Sequence, residues 1–266
     1  MSERLPYANK DLGQHFLRDQ KVITSITDDF KDKAKGIIEV GPGPGILTKN
    51  LSEHGLPFAV IEKDERFPEI LEAFLASDRI RLTDALTVDL NEFIETMNLP
   101  TEDLWLVSNL PYNVGVPLLI NFLQCDKIKY MTLMFQKEVA DKVTPFMTKE
   151  SKAMGSLMAL SKNYFDVELL CKVPPGAFQP PPKVDSAVVT MTRKENPEVP
   201  LSEFRVFESF LRKLFAMKRK QLGKVLKGHY QSDKLESAFK ACGIERTIRA
   251  EALSLESVIN LYKELR

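Results

Sequence analysis

Cysteine is scarce in this chain, which has three cysteines among its 266 residues. Cys125, Cys171 and Cys242 lie far apart and are odd in number, which fits neither a disulfide framework nor a zinc site. We therefore expect three ordinary reduced thiols and no bound metal.

Long hydrophobic runs are also absent. No stretch reaches the roughly 18 apolar residues that a membrane span requires, and residues 1–6 contain no apolar core of signal-peptide length. The apolar fraction of 44% and the charged fraction of 28% are typical of an ordinary globular protein. We expect a cytoplasmic protein with no membrane partner.

An excess of either charge is missing too, because 37 basic residues balance 37 acidic ones. A nucleic acid would have to bind a local patch, and the balance argues weakly against such a partner. One stretch is nevertheless basic and contains no acid; its charged residues are Arg212, Lys213, Lys218, Arg219, Lys220, Lys224 and Lys227. It is either a solvated helix face or, as we favour, a surface for a phosphate backbone, with Lys218, Arg219 and Lys220 as candidate contacts.

A glycine loop follows the first apolar strand. The strand covers residues 36–40, the loop is Gly41-Pro42-Gly43-Pro44-Gly45, and a helix begins directly after it. This order is typical of a nucleotide-binding α/β unit. The loop is either a plain tight turn or a place where backbone approaches a ligand. Since Pro42 and Pro44 have no N–H to offer, a ligand without a bound phosphate fits better.

Acidic side chains end the next two predicted strands. Glu62 follows Phe58-Ala59-Val60-Ile61 and is placed to accept ribose hydroxyls, and Asp84 follows residues 80–83 and can receive the amino group of an adenine. Either acid alone could be a solvated charge. Together with Gly41 they stand at successive carboxyl ends of parallel strands, where open α/β sheets bind ligands.

The tetrad Asn109-Leu110-Pro111-Tyr112 ends a fourth apolar strand over residues 104–108. The Asn109 side-chain oxygen and the Leu110 carbonyl are two acceptors for an exocyclic amine, and Tyr112 offers a face for stacking a base. The alternative is a strand closed by an Asn-x-Pro turn with a tyrosine lid.

Two further segments leave alternatives open. Gln14-His15-Phe16-Leu17 can clamp a ligand or anchor the N-terminal segment on the core. The proline-rich residues 174–183 connect strands at about 165–173 and 185–192, which suggests an antiparallel pair with a stiff, exposed connection. Phe178 in that connection is either a stacking ring for substrate or a plug for the loop's own core. Residues 193–200 separate strands from a purely helical region.

Four segments together resemble the bacterial small-subunit rRNA adenine dimethyltransferase family: residues 14–17, 39–45, 109–112 and 174–186. The resemblance covers nearly the whole chain in order. It implies a class I methyltransferase Rossmann-like domain at residues 1–194, an α/β sheet that is mostly parallel with an antiparallel strand at one end, and a helical rRNA-binding domain at residues 195–266. It also implies S-adenosylmethionine as cofactor and dimethylation of N6 on two adjacent adenines near the 3′ end of small-subunit rRNA.

The resemblance assigns the tetrad to catalysis and six residues to the cofactor: His15, Leu17, Gly41, Glu62, Asp84 and Asn109. The family commonly has Asn where this chain has His15, so a backbone contact survives there while the side-chain contact stays open. The expected partner is rRNA in an immature small subunit, bound by a monomer. DNA is not expected, because many DNA adenine enzymes have an acid at the position of Asn109. The alternatives are a resistance-type methyltransferase of large-subunit rRNA and a ribosome-assembly factor with little catalysis.

Overall fold

The computed structural model describes residues 7–9, 13–144, 153–217 and 220–266, so the candidate RNA contacts Lys218 and Arg219 lie outside the described residues. The chain divides into two compact units. The first contains the residues up to 140 together with 168–193, and the second contains 141–167 together with 194–266. The described residues between 141 and 167 therefore cluster with the C-terminal region, whereas the sequence predicts them in the first domain.

The strands in the described residues are β1 (Phe16–Leu17), β2 (Gly36–Val40), β3 (Phe58–Glu62), β4 (Ile80–Leu82), β5 (Leu104–Asn109), β6 (Ile128–Gln136), β7 (Phe165–Val173), β8 (Phe178–Gln179) and β9 (Ser186–Arg193). Seven of them form one sheet in the order β4-β3-β2-β5-β6-β9-β7. The strands from β4 to β6 pair in parallel, and β9 pairs antiparallel with β6. This confirms the predicted mostly parallel α/β sheet.

The central strands are apolar because they are covered on both sides. Every residue of β2 and β3 is buried, including an acid in each, Glu39 and Glu62. Parallel strands buried on both faces are rich in apolar residues such as Val and Ile, and β2 and β3 are apolar apart from these two acids.

The helices preceding the unit boundary are α1 (Gln20–Asp28), α2 (Thr48–Ser52), α3 (Pro68–Leu71), α4 (Leu90–Thr96) and α5 (Gly115–Gln124), and α6 (Lys137–Val143) crosses it. Asp19 begins α1, because its carboxylate accepts the N–H groups of Lys21 and Val22. The buried face of α1 includes Val22 and Ile26 at helical spacing, as the sequence pattern predicts.

The proline-rich connection is largely exposed, as the sequence predicts, but Ala177, Phe178 and Pro182 within it are buried. Its residues Phe178 and Gln179 form β8, which pairs antiparallel with β1. Phe178 is 4% exposed and belongs to the same apolar core as Phe16 and Leu17. The ring therefore fills a core and is not available to stack on a substrate base, which favours the packing alternative.

The second unit is helical, with α7 (Ser156–Tyr164), α8 (Phe204–Leu214), α9 (Leu222–Leu226), α10 (Ser232–Cys242) and α11 (Leu255–Leu265). Helix α8 packs on α7, and Phe207 and Phe210 contact the ring of Tyr262 from α11. The amide of Asn163 also makes paired hydrogen bonds with backbone N and O of Val199, at 3.1 and 2.9 Å. These contacts explain why α7 joins the C-terminal region. No helix of the described segments is long and apolar enough to cross a membrane.

Candidate active site

A cavity opens at the carboxyl ends of the parallel strands. Nine residues predicted from the sequence line it: His15, Leu17, Gly41, Glu62, Asp84, Asn109, Leu110, Pro111 and Tyr112. All of them except His15 and Leu17 come together because β2, β3, β4 and β5 are parallel neighbours, so the residues at and just beyond the end of each strand meet at one edge of the sheet. His15 and Leu17 come from the N-terminal segment and β1. Phe178 does not line the cavity, and Lys220 is an exposed residue of the second unit.

The glycine loop shapes the floor of the cavity. Gly41 and Gly45 have φ angles of +70° and +84°, in the left-handed region that favours glycine. A Cβ atom at Gly45 would lie 2.7 Å from the Phe74 ring, whereas one at Gly41 would meet no atom within 4 Å. Gly45 therefore allows close packing. Gly41 leaves open space beside the backbone where a ligand can approach.

Glu62 is held rigidly at the end of β3. Its Oε1 accepts the N–H groups of Lys63 and Asp64 at 2.8 and 2.7 Å, and its Oε2 accepts the Gly43 N–H at 2.8 Å. Burial raises the pKa of this carboxyl, and the backbone N–H groups oppose that rise. Since a carboxylate oxygen has two lone pairs, Oε2 keeps capacity for a ligand hydroxyl.

Asp84 lies two residues beyond the end of β4, and its carboxylate has two partners. Oδ1 accepts the Leu86 N–H at 2.9 Å, and Oδ2 pairs with the Lys63 ammonium at 2.8 Å. The Lys63 hydrogen bond lowers the pKa of Asp84, so the group is a carboxylate that can accept a ligand amine. A ligand amine bound at this position would share the Asp84 carboxylate with the Lys63 ammonium.

Glu39 is an acid that the sequence analysis did not single out. It lies on β2 below the glycine loop, is 1% exposed and lines the cavity. The Thr48 hydroxyl donates to its Oε2 at 2.7 Å. Burial raises the pKa of Glu39 to about 8, and the nearby Glu62 adds to the rise. The signal in the sequence is a lone acid within an apolar strand.

The Asn109 amide is fixed by the N-terminal segment. Its Nδ2 donates to the His15 carbonyl at 3.1 Å, which leaves Oδ1 as the acceptor of a side chain that lines the cavity. The Leu110 N–H donates to the Met134 carbonyl at 3.2 Å and holds that peptide in place. Within the described residues, no donor occupies the Leu110 carbonyl. Two acceptors suited to an amine therefore stand together at the end of β5.

Tyr112 is anchored at both its hydroxyl and its ring. The hydroxyl is 2.8 Å from the Ser186 hydroxyl, and the His15 imidazole stacks on the ring with centroids 5.2 Å apart. His15 Nδ1 in turn donates to the Pro180 carbonyl at 2.8 Å. A base can therefore stack only on the other face of Tyr112. Ser186 was not predicted as a site residue, although it lies in residues 174–186, one of the segments on which the family resemblance rests.

The cavity suits S-adenosylmethionine. The open space at Gly41 admits the ligand, and Glu62 and Asp84 are acceptors for hydroxyl and amino groups. Pro42 and Pro44 withhold backbone donors where a phosphate would need them, which agrees with a cofactor that has none. No cluster of three or more His, Cys, Asp or Glu side chains within the described segments is arranged to hold a metal.

Fold and cavity together define a class I, S-adenosylmethionine-dependent methyltransferase. Residues 7–266 match the family model described as ribosomal RNA adenine dimethylase. The chain therefore belongs to the ribosomal RNA adenine dimethylase family and is an rRNA adenine dimethyltransferase.

Curated relatives and solved structures agree with this assignment. The chain is 37% identical to Ribosomal RNA small subunit methyltransferase A of Clostridium acetobutylicum, over 97% of this chain and 93% of the relative. It is 35% identical to the protein of the same name from Geobacter metallireducens, over 97% and 95%. The crystal structure of 23S rRNA methyltransferase ErmE superimposes with a TM-score of 0.69 at 25% identity, over 94% of this chain and 99% of that one.

A dimethyladenosine transferase from Plasmodium falciparum has the same fold, with a TM-score of 0.71 at 22% identity over 93% of this chain and 96% of that one.

Proposed function

We propose that this enzyme dimethylates the N6 amino groups of two adjacent adenines near the 3′ end of small-subunit rRNA, while the small subunit is still immature. The protein works as a cytoplasmic monomer. The observation that carries the proposal is the pair of acceptors at Asn109 Oδ1 and the Leu110 carbonyl, beside the cavity floored by Gly41. The curated relatives named for the small subunit support this choice of substrate.

The chemistry explains the need for acceptors. The N6 lone pair of adenine is delocalised into the ring, so the amine is a poor nucleophile. When Asn109 Oδ1 and the Leu110 carbonyl accept its two N–H bonds, they favour a localised pair. S-adenosylmethionine supplies a methyl group activated by the positive sulfur. No strong base is required, and positioning of the amine provides much of the rate.

Binding in this pocket requires the adenine to leave its stack. Tyr112 replaces part of the lost stacking with the ring face that His15 does not cover. The second transfer requires the pocket to accept a monomethylated amine, which has one N–H left and needs one acceptor in place of two. His15 and Leu17 complete the wall on the side of the N-terminal segment.

The basic stretch of the second unit is the proposed contact for the rRNA backbone. Lys220, Lys224 and Lys227 are exposed, whereas Arg212 is paired with Glu208 at 2.6 Å. The side chains of Lys218 and Arg219 are part of the same proposal on the strength of the sequence alone. Exposed, uncompensated charges release counterions when they meet phosphates, and this favours binding.

The likeness to the 23S rRNA enzyme keeps large-subunit rRNA as a second candidate. Purified small and large precursor subunits that lack the modification would be methylated side by side with labelled cofactor. We expect label in the small subunit only. Label confined to the large subunit would reverse the assignment.

A further inference from the structure

Three side chains outside the predicted site join the N-terminal segment to the end of β3. The Gln14 Nε2 donates to Asp64 Oδ2 at 2.8 Å. The Arg66 guanidinium binds the same carboxylate twice, from Nε to Oδ1 at 2.8 Å and from Nη2 to Oδ2 at 2.5 Å. Arg66 Nη2 also donates to Gln14 Oε1 at 3.1 Å, which closes a ring of three side chains.

This ring holds a longer piece of the N-terminal segment. Arg66 Nη1 donates to the Tyr7 carbonyl at 2.9 Å, and the Asn9 N–H donates to Gln14 Oε1 at 2.9 Å. Asp64 is 7% exposed, and its pKa is lowered to about 2, first by the Arg66 hydrogen bonds and then by the one from Gln14. The carboxylate is therefore charged at any working pH.

Both ends of the ring touch residues of the active site. The Asp64 N–H is one of the donors to Glu62 Oε1, at 2.7 Å. Gln14 is followed by His15, whose carbonyl accepts the Asn109 Nδ2 at 3.1 Å. A continuous path of hydrogen bonds and two peptide units thus runs from the proposed ribose acceptor to the proposed amine acceptor.

We propose that Gln14, Asp64 and Arg66 are positioning residues that hold the His15 carbonyl against Asn109 and thereby set the amide for methyl transfer. The proposal rests on the role proposed above for Asn109. A bidentate Arg–carboxylate pair suits the task because it fixes both distance and orientation. Without it, the strand pair at Phe16–Leu17 restrains the segment from one side only.

A double-mutant cycle tests the path directly. Gln14→Ala should lower kcat about tenfold at saturating cofactor, the effect of losing one or two hydrogen bonds to a charged group. In an Asn109→Ala background the same change should lower kcat less than about twofold, because the residue through which Gln14 acts is already gone. A tenfold loss in both backgrounds, or no loss in either, would overturn the proposal.

Two further variants separate positioning from a folding defect. Arg66→Lys keeps one charged contact to Asp64, whereas Arg66→Gln keeps none. We expect Arg66→Gln to raise the Kd for S-adenosylhomocysteine about 3- to 10-fold and to speed amide exchange at residues 13–17, with Arg66→Lys between it and the wild type. Equal exchange in all three proteins would contradict the proposal.

Lys35→Gln serves as the matched control. It removes an ion pair with Asp103, 2.8 Å long, that lies just before β2 at the opposite edge of the sheet. It should change neither kcat nor the Kd. If Asn109→Ala alone leaves kcat intact, the proposed role of Asn109 fails. If Asn109→Ala lowers kcat while Gln14→Ala does not, only the positioning network fails.

Discussion

Glu62 has two tasks at the scale of a single residue, because the carboxylate proposed for the ribose also accepts the Gly43 N–H of the glycine loop. Its position at the tip of β3 follows from the sequence, since an acid that ends a buried strand near a glycine loop has few other uses. The backbone N–H groups that donate to Glu62 do not follow from the sequence. They depend on the geometry of the turn after the strand, which the residue types do not specify.

A loss of affinity is predicted for Glu62→Ala. S-adenosylmethionine binding should weaken by roughly 1.5 to 3 kcal/mol, the range for a hydrogen bond to a charged acceptor. Calorimetry gives the affinity, and urea unfolding shows whether the loop anchor also matters for stability. Glu65→Ala removes the exposed neighbouring acid and should leave affinity unchanged. Equal affinity in wild type and a folded Glu62→Ala would refute the ribose contact.

Glu39 makes stability depend on pH. Its pKa is about 8 in the folded protein and about 4.5 in the unfolded chain, so the folded state retains a proton that the unfolded state has released. The free energy of unfolding should therefore fall as pH rises from about 4.5 to about 8. Glu39→Gln cannot ionise and still accepts the Thr48 hydrogen bond. Its free energy of unfolding at pH 8 should exceed that of the wild type by on the order of 2 kcal/mol or more.

Urea titrations at pH 5 and pH 8 measure this difference. Glu53→Gln, at an exposed acid in the same region, should follow the wild-type curve. Parallel pH profiles for wild type and Glu39→Gln would show that Glu39 is ionised at neutral pH.

The elements differ in how far the sequence predicts them. Strands β2, β3 and β5 are largely apolar, and their parallel pairing brings Gly41, Glu62 and Asn109 together as expected. The pairing of β1 with β8 joins residues about 160 positions apart, and no local pattern announces it. The ring of Phe178 could therefore not be assigned to the core until its partner strand was known.

Salt dependence tests the basic stretch at the scale of an element. Replacing Lys220, Lys224 and Lys227 with Gln should lower rRNA affinity and reduce the slope of log affinity against log salt by about 2 to 3, if each residue neutralises one phosphate. Filter binding at several salt concentrations gives the slope.

The matched control carries the same loss of charge in the first unit, at the exposed residues Lys31, Lys33 and Lys35. It should retain the wild-type slope. If both triple variants share one slope, the basic stretch is a solvated surface and does not bind the rRNA backbone.

At the scale of the whole molecule, family membership establishes an rRNA adenine dimethyltransferase, and the roles proposed for Asn109 and Leu110 give this fold a way to hold the target amine. An assembly factor without catalysis would have no use for two amine acceptors beside a cofactor cavity. An enzyme that stays bound to an immature subunit can also act as a checkpoint in subunit assembly. One substitution that removes catalysis but keeps binding separates the two roles.

The most direct measurement counts methyl groups on bound small subunits. Unmethylated small subunits would be incubated with S-adenosylmethionine and either wild type or Asn109→Ala, and both binding and dimethyladenosine would be quantified. We predict two dimethyladenosines per subunit with wild type, and for Asn109→Ala a rate of transfer lower by about 100- to 1000-fold with binding nearly unchanged. Tight binding by wild type with every adenine left unmodified would contradict the account.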